Sequence, residues 1–248
     1  MVPLLFFLLA LFPFSTEAGE IIGGEEVIPH SRPYIAYVNF YNLKSVQDNC
    51  TGFLVRSDIV MTSAHCNGSK INVTLGAHYI KRKENTQVVI PVAKAIRHEN
   101  YNSKLLLNDI MLLKLKSEVQ ITRAVNIIDL PSRHDWVRPW QVCSVAGWGL
   151  LTNGKYSHTL QEVDLQVQNA QTCKAIFSNF SNAKQLCVGD PKDKKVPSQG
   201  DAGAPLVCRN VAQGIVNYGH FAKPPAIFTR ISSYVPWIVG KIKLLEHL

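Results

Sequence analysis

Apolar residues in this chain come in short runs. They occupy Gly52–Val55, Ile59–Met61, Val88–Ile90, Ile110–Leu115, Val142–Ala146, Leu160–Val167, Leu206–Cys208, Gly214–Tyr218 and Ile227–Ile231, and glycine, proline, asparagine and serine fall between them. Runs this short, repeated at this spacing, predict strands and an all-β barrel or sandwich. Leu160, Val163, Leu165 and Val167 alternate in part, as a strand with one buried face does. The C-terminal stretch has a different period. Val235, Trp237, Ile238, Ile242 and Leu245 lie near helical spacing with Lys241 and Lys243 between them, which predicts an amphipathic helix with Pro236 in its first turn. Hydrophobic residues are 46% of the 248, enough for a packed core and too many for a disordered polyelectrolyte.

The apolar run Leu4–Phe12 is too short for a bilayer span, and small residues follow it at Thr16-Glu17-Ala18. Met1–Ala18 therefore reads as a secretory signal peptide. No later stretch is apolar enough for a transmembrane segment. The chain has 26 basic and 18 acidic residues; its first twenty residues hold Glu17 and Glu20 and no Lys or Arg, so the remainder carries +10. That charge favours an anionic partner. Six cysteines are too few for a disulfide-dense miniature scaffold, but an even count suits a few bridges in an oxidising compartment. No Cys-x-x-Cys spacing occurs, so no metal is expected. Sequons at Asn67, Asn72 and Asn179 are candidate glycan acceptors; a fourth begins at Asn49, with Cys50 in its middle.

Three segments carry chemistry. Met61-Thr62-Ser63-Ala64-His65-Cys66 sets a histidine beside a cysteine after a strand; Asn108-Asp109-Ile110-Met111-Leu112-Leu113 sets a carboxylate at the mouth of an apolar run; Gly200-Asp201-Ala202-Gly203-Ala204-Pro205 follows far downstream. In this order they resemble the chymotrypsin-like serine proteases, and the resemblance covers residues 21–248. Ile21-Ile22-Gly23-Gly24, Pro29-His30-Ser31-Arg32-Pro33-Tyr34 and Val142-Cys143-Ser144-Val145-Ala146-Gly147-Trp148-Gly149 narrow it to the granzymes and mast cell proteases of immune-cell granules. Gly19-Glu20 resembles their activation dipeptide.

The resemblance implies a secreted peptidase S1 domain over 21–248. Its fold is two antiparallel six-stranded β-barrels with a C-terminal α-helix, and the site lies between the barrels. Six cysteines allow fifteen pairings; the resemblance selects Cys50–Cys66, Cys143–Cys208 and Cys173–Cys187. It places His65 and Asp109 in a catalytic pair and makes the N–H groups of Gly200 and Ala202 an oxyanion hole. It pairs the freed amine of Ile21 with Asp201 as an activation switch. The specificity pocket has Val196 at its base and Asn217, Tyr218, Gly219 and Ala226 on its walls. None is acidic, so an apolar or aromatic side chain is the expected occupant.

The departures from that pattern are as informative. Ala202 stands where the family has its nucleophilic serine, and a methyl group cannot attack a carbonyl. Ser198 is four residues away. Asn217 replaces a serine that supports the aspartate; Thr51, Ala204 and Ala226 replace glycines. The expected protein is an inactive protease homologue of a secretory granule, later extracellular. It is expected to be monomeric, to need no cofactor, and to bind a sulfated glycosaminoglycan or proteoglycan, or peptide or protease-inhibitor ligands. Its basic groups recur at Lys81-Arg82-Lys83, Lys94 with Arg97, Arg133 with Arg138, Lys192 with Lys194 and Lys195, and Lys241 with Lys243. No nucleic-acid module is present, so nucleic acid is not an expected partner. The alternatives are an active chymotrypsin-like endopeptidase with another nucleophile, and a decoy for protease inhibitors or substrates.

Overall fold

The computed structural model describes residues 22–220 and 222–246. The segment expected to be a signal peptide, the Gly19-Glu20 dipeptide and Ile21 lie outside the described residues. Thirteen strands are formed: β1 (Glu25–Glu26), β2 (Ile35–Tyr41), β3 (Gln47–Arg56), β4 (Ile59–Thr62), β5 (Ser69–Leu75), β6 (Val88–Arg97), β7 (Met111–Leu115), β8 (Val142–Gly147), β9 (Gln161–Gln166), β10 (Gln185–Val188), β11 (Pro205–Cys208), β12 (Val211–His220) and β13 (Lys223–Arg230). Two α-helices accompany them, α1 (Ala170–Ile176) and α2 (Val235–Leu245).

β2 to β7 close into a six-stranded antiparallel barrel in the order β2-β3-β4-β7-β6-β5. Alternation sets which side chains enter it. In β2, Ala36, Val38 and Phe40 are buried while Tyr37 and Asn39 are only partly so; in β5, Ile71, Val73 and Leu75 face in. At Gly52 a side chain would press on Met61 O and Val60, so a glycine lets β3 and β4 meet closely. The β3–β4 turn is clamped by Asp58, whose carboxylate takes Arg56 Nε at 2.5 Å and the Lys114 ammonium.

The second sheet has seven strands in the order β1-β9-β8-β11-β12-β13-β10. Six of them form the second barrel; β1 adds an edge by pairing with β9. The barrel ends meet through the single bridge Val167–Val188 and the flanking bonds Gln168 N to Cys187 O (2.7 Å) and Gly189 N to Gln166 O (2.8 Å).

Each barrel has its own core, one around Val38, Leu54, Val73 and Leu113, the other around Val145, Leu165, Leu206 and Phe228. A third apolar cluster joins Phe53, Met61 and Leu112 of the first barrel to Ile215 of the second and to Ile238 and Leu245 of α2. The C-terminal helix thus seals the two barrels together. Pro236 lies in its first turn, where the missing N–H is tolerated. Among the described residues no helix is long and apolar enough to cross a membrane.

Candidate active-site cleft between the barrels

β4 ends in a 3-10 turn, Ala64–Cys66, that carries His65. Two bonds hold this turn: Ser63 Oγ donates to Val216 O at 2.8 Å across the barrel junction, and Thr62 Oγ1 to Thr51 O at 2.8 Å within the first barrel. The Cys50–Cys66 disulfide ties the turn to β3. Asp109 precedes β7 and is fully buried. Its Oδ1 accepts His65 N–H at 2.9 Å and its Oδ2 meets His65 Nδ1 at 2.6 Å. A carboxylate only accepts, so Nδ1 is the protonated nitrogen and Nε2 is left for the cleft. Burial works to lower the His65 pKa, but the Asp109 hydrogen bond and charge outweigh it and hold the imidazole above its ordinary value.

The second barrel contributes the loop 198–203. Gly203 N donates to Val216 O at 2.9 Å, Ala204 N to Asp201 O at 2.9 Å and Asp201 N to Ser198 O at 3.0 Å. Gly203, at φ +86°, would drive any side chain into Thr62 and Thr51, so only glycine lets the loop approach β3 this closely. Thr51 braces the loop twice: its N–H donates to Ala202 O at 2.8 Å and its Oγ1 to Gly200 O at 2.9 Å. The N–H groups of Gly200 and Ala202 donate no hydrogen bond among the described residues.

The Asp201 carboxylate is wholly buried, with Oδ1 accepting Gly149 N–H at 2.9 Å and Oδ2 accepting Ser198 N–H at 2.8 Å and Ser198 Oγ–H at 3.2 Å. Side chains at 147 or 149 would overlap this carboxylate, which explains both glycines of Gly147-Trp148-Gly149. Burial pushes the Asp201 pKa up to about 6 despite those three donors.

Two recesses meet at Gln199 and Ala202. One, of about 500 Å³, is walled by Phe40, Leu43, Cys50, His65, Asn67 and Gly200. The other, of about 260 Å³, is walled by Pro197, Val216, Asn217, Tyr218, Gly219 and Ala226. Four of the five residues expected around a specificity pocket are there. Val196 is not. It is buried in the core cluster that includes Val216 and Ala226, because its side chain turns inward while Pro197 and Ser198 line the recess.

Asn217 does not touch the Asp109 carboxylate. Its Nδ2 donates to Leu106 O at 2.9 Å, and its Oδ1 is buried without a partner. Thr229 Oγ1 instead donates to the Asp109 backbone carbonyl at 2.9 Å. Ser198 is no spare nucleophile in this geometry, since its hydroxyl is bonded to Leu150 O at 2.6 Å and to Asp201. Cys50, His65 and Cys66 lie within metal-ligand reach of one another, but both sulfurs are in the disulfide and offer no thiolate. The other bridges are Cys143–Cys208 and Cys173–Cys187.

The sequons sit unequally. Asn179 is exposed; Asn67 and Asn72 are half-buried, Asn72 inside β5. Asn49 lies within β3, and the hydroxyl of its sequon, on Thr51, is fully buried and bonded to Gly200 O. The brace from Thr51 and the Ser63 and Thr229 cross-links are not readable as motifs: the sequence shows three ordinary hydroxyl residues, and only the fold brings their partners, 120 to 153 positions away, within reach.

The family model described as Trypsin matches residues 21–238. Mast cell protease 8 of Mus musculus is 53% identical over 245 residues, 98% of each chain. Granzyme B of Rattus norvegicus is 53% identical over 243 residues, covering 95% of this chain and 98% of its own, and Cathepsin G of Homo sapiens is 49% identical over 252 residues, covering 100% and 98%. A solved structure described as "Structure of GrC" superposes with a TM-score of 0.87 at 50% identity, covering 90% of this chain and all of its own. Agreement of this extent in sequence and architecture places the chain in the trypsin-like serine protease family, among homologues of granzymes, mast cell proteases and cathepsin G.

Proposed function

We propose that this protein is a secreted, granule-type protease homologue that binds polypeptide ligands without hydrolysing them. One observation carries the reading: the residue facing His65 from the 198–203 loop is Ala202. His65 and Asp109 remain as a base and its orienting carboxylate, but the loop has no hydroxyl to attack with. Ser198 is committed elsewhere. Loss of a triad member leaves on the order of 10³–10⁴-fold rate enhancement over water, which for a peptide bond amounts to no useful turnover. The relatives' names point to immune-cell granules as its compartment, and trimming after Glu20 would free the Ile21 amine for Asp201.

A serine-directed phosphonate probe tests the reading. No labelling is expected of the protein trimmed after Glu20; stoichiometric labelling with release of peptide fragments overturns it and favours the active endopeptidase. Binding of protease-inhibitor loops in the cleft would mark the ligand as an inhibitor rather than a substrate.

The surface favours a second ligand, a sulfated glycosaminoglycan. Lys70, Lys94 and Lys116 ring one recess of about 350 Å³ on the first barrel, and Lys94 continues into a neighbouring one with Arg97. Lys241, by contrast, is paired with Glu99 and Lys114 with Asp58. Elution from heparin should fall below physiological salt when Lys70, Lys94 and Lys116 are changed together to serine, because screening removes what charge supplies. Unchanged elution assigns the binding to another face.

A further inference from the structure

Every N–H of residues 201, 203 and 204 is committed to a carbonyl, yet those of Gly200 and Ala202 are not bonded to any described residue. Both residues line the recess that His65 walls, and His65 presents Nε2 there because Nδ1 is held by Asp109. Two donors serve one concavity, joined by Nε2–H of His65 when the ring is protonated, and Ala202 adds a methyl group where a hydroxyl would have brought lone pairs. Two backbone N–H groups beside an imidazolium form an anion site, each hydrogen bond strengthened by the charge of the ligand.

The neighbouring recess selects among anions. It meets this one at Gln199 and Ala202; Pro197, Val216, Tyr218, Gly219 and Ala226 supply its apolar lining, no carboxylate is among its walls, and His220 also lines it. A ligand filling both must carry an apolar side chain one carbon away from its anionic group. That is the chemistry of a C-terminal residue with its α-carboxylate. We propose that the cleft captures polypeptides by a free C-terminus ending in an apolar or aromatic residue. One carboxylate oxygen takes the Gly200 and Ala202 N–H groups, and the other takes Nε2–H of His65. This rests on the reading that Ala202 leaves the cleft without turnover. An internal peptide bond offers the same donors only a neutral carbonyl.

Thr51 is a positioning residue for this site. Its N–H and hydroxyl hold the carbonyls of the two donor residues, so it fixes the stretch of loop that carries their N–H groups and is not among the residues lining the recess. The charged groups around His65 set the pH response. Asp109 lies behind it; Asp48 and Lys44, one of each sign, line the same recess. Capture is strongest where the ligand carboxylate is ionised and His65 is protonated, and weakens as pH rises through the His65 pKa.

Equilibrium binding of a fluorescein-labelled Gly-Ala-Ala-Phe peptide with a free C-terminus, compared with its C-terminal amide, tests the proposal on the secreted protein. At pH 5.5 the free acid should bind at least about tenfold more tightly, the effect of one charge-assisted hydrogen bond, and the preference should shrink by pH 8. His65→Gln should reduce the preference about tenfold, because it removes a donor that the charged carboxylate uses, and Thr51→Val, close in shape, should weaken the free acid more than the amide. Equal affinity for acid and amide, or no binding of either, overturns the proposal. The inactive reading beneath it fails on a different result, cleavage of a longer peptide with an internal Phe.

Discussion

The Asp109 carboxylate accepts hydrogen bonds only from His65 among the described residues, through N–H and Nδ1. Asn217 spends its amide on Leu106 O and leaves Oδ1 buried and unpaired. Restoring the hydroxyl alone should therefore give a weak enzyme. Ala202→Ser is expected to produce detectable cleavage after aromatic residues, and adding Asn217→Ser should raise kcat/KM about tenfold further, as one more bond to a buried carboxylate would. Kinetics on a peptide library read both; a double variant no better than the single one means Asn217 is neutral. The His65 proton offers a second check. With Asp109→Asn, burial is opposed only by the charge of Asp48, so the imidazole pKa should fall, followed by NMR titration.

At the scale of elements, the glycines of Gly147-Trp148-Gly149 are spatial requirements. Gly149→Ala forces a methyl into the Asp201 carboxylate and should cost roughly 1–3 kcal/mol or more of unfolding free energy, measured by denaturant titration. Helix α1 depends on its cap: Asn169 accepts Gln171 N–H at 3.1 Å, and Asn169→Ala should cost about 1 kcal/mol. Contiguous apolar runs led to β3, β4, the start of β6, β7, β8, β9 and β11–β13 in outline. They passed over β5, where apolar residues alternate with polar ones, β10, which has four residues, and β2, although its Ile35–Val38 is itself a short apolar run. They also passed over α1, seven residues long with a short cap signal and no apolar stripe.

For the whole molecule, the buried Asp201 should make stability depend on pH. An acid whose folded-state pKa is raised, here from 3.8 to about 6, favours its neutral form in the fold. The penalty is absent below about pH 4, grows through the interval and is complete above about 6, reaching on the order of 3 kcal/mol. The untrimmed chain should therefore lose stability as pH rises across that window. If the Ile21 amine pairs with Asp201, trimming should flatten the slope. His65, whose pKa is also raised, loses its contribution as pH rises in both forms, so the difference between the two denaturation series isolates Asp201. Parallel series would refute the pairing. The sequence by itself determined the family, the strand-rich architecture, the identity of His65, Asp109, Asp201 and Ala202, and the basic surface. Those are properties of local pattern and residue chemistry. Only the tertiary structure decided that Val196 is core rather than pocket wall and that Asn217 has left the aspartate. It also decided that one threonine braces both donors of the cleft. Val196 follows the packing of its side chain among Val216 and Ala226, and the other two depend on which backbone atom, more than a hundred residues away, the folded barrels bring within about 3 Å, the reach of a hydrogen bond.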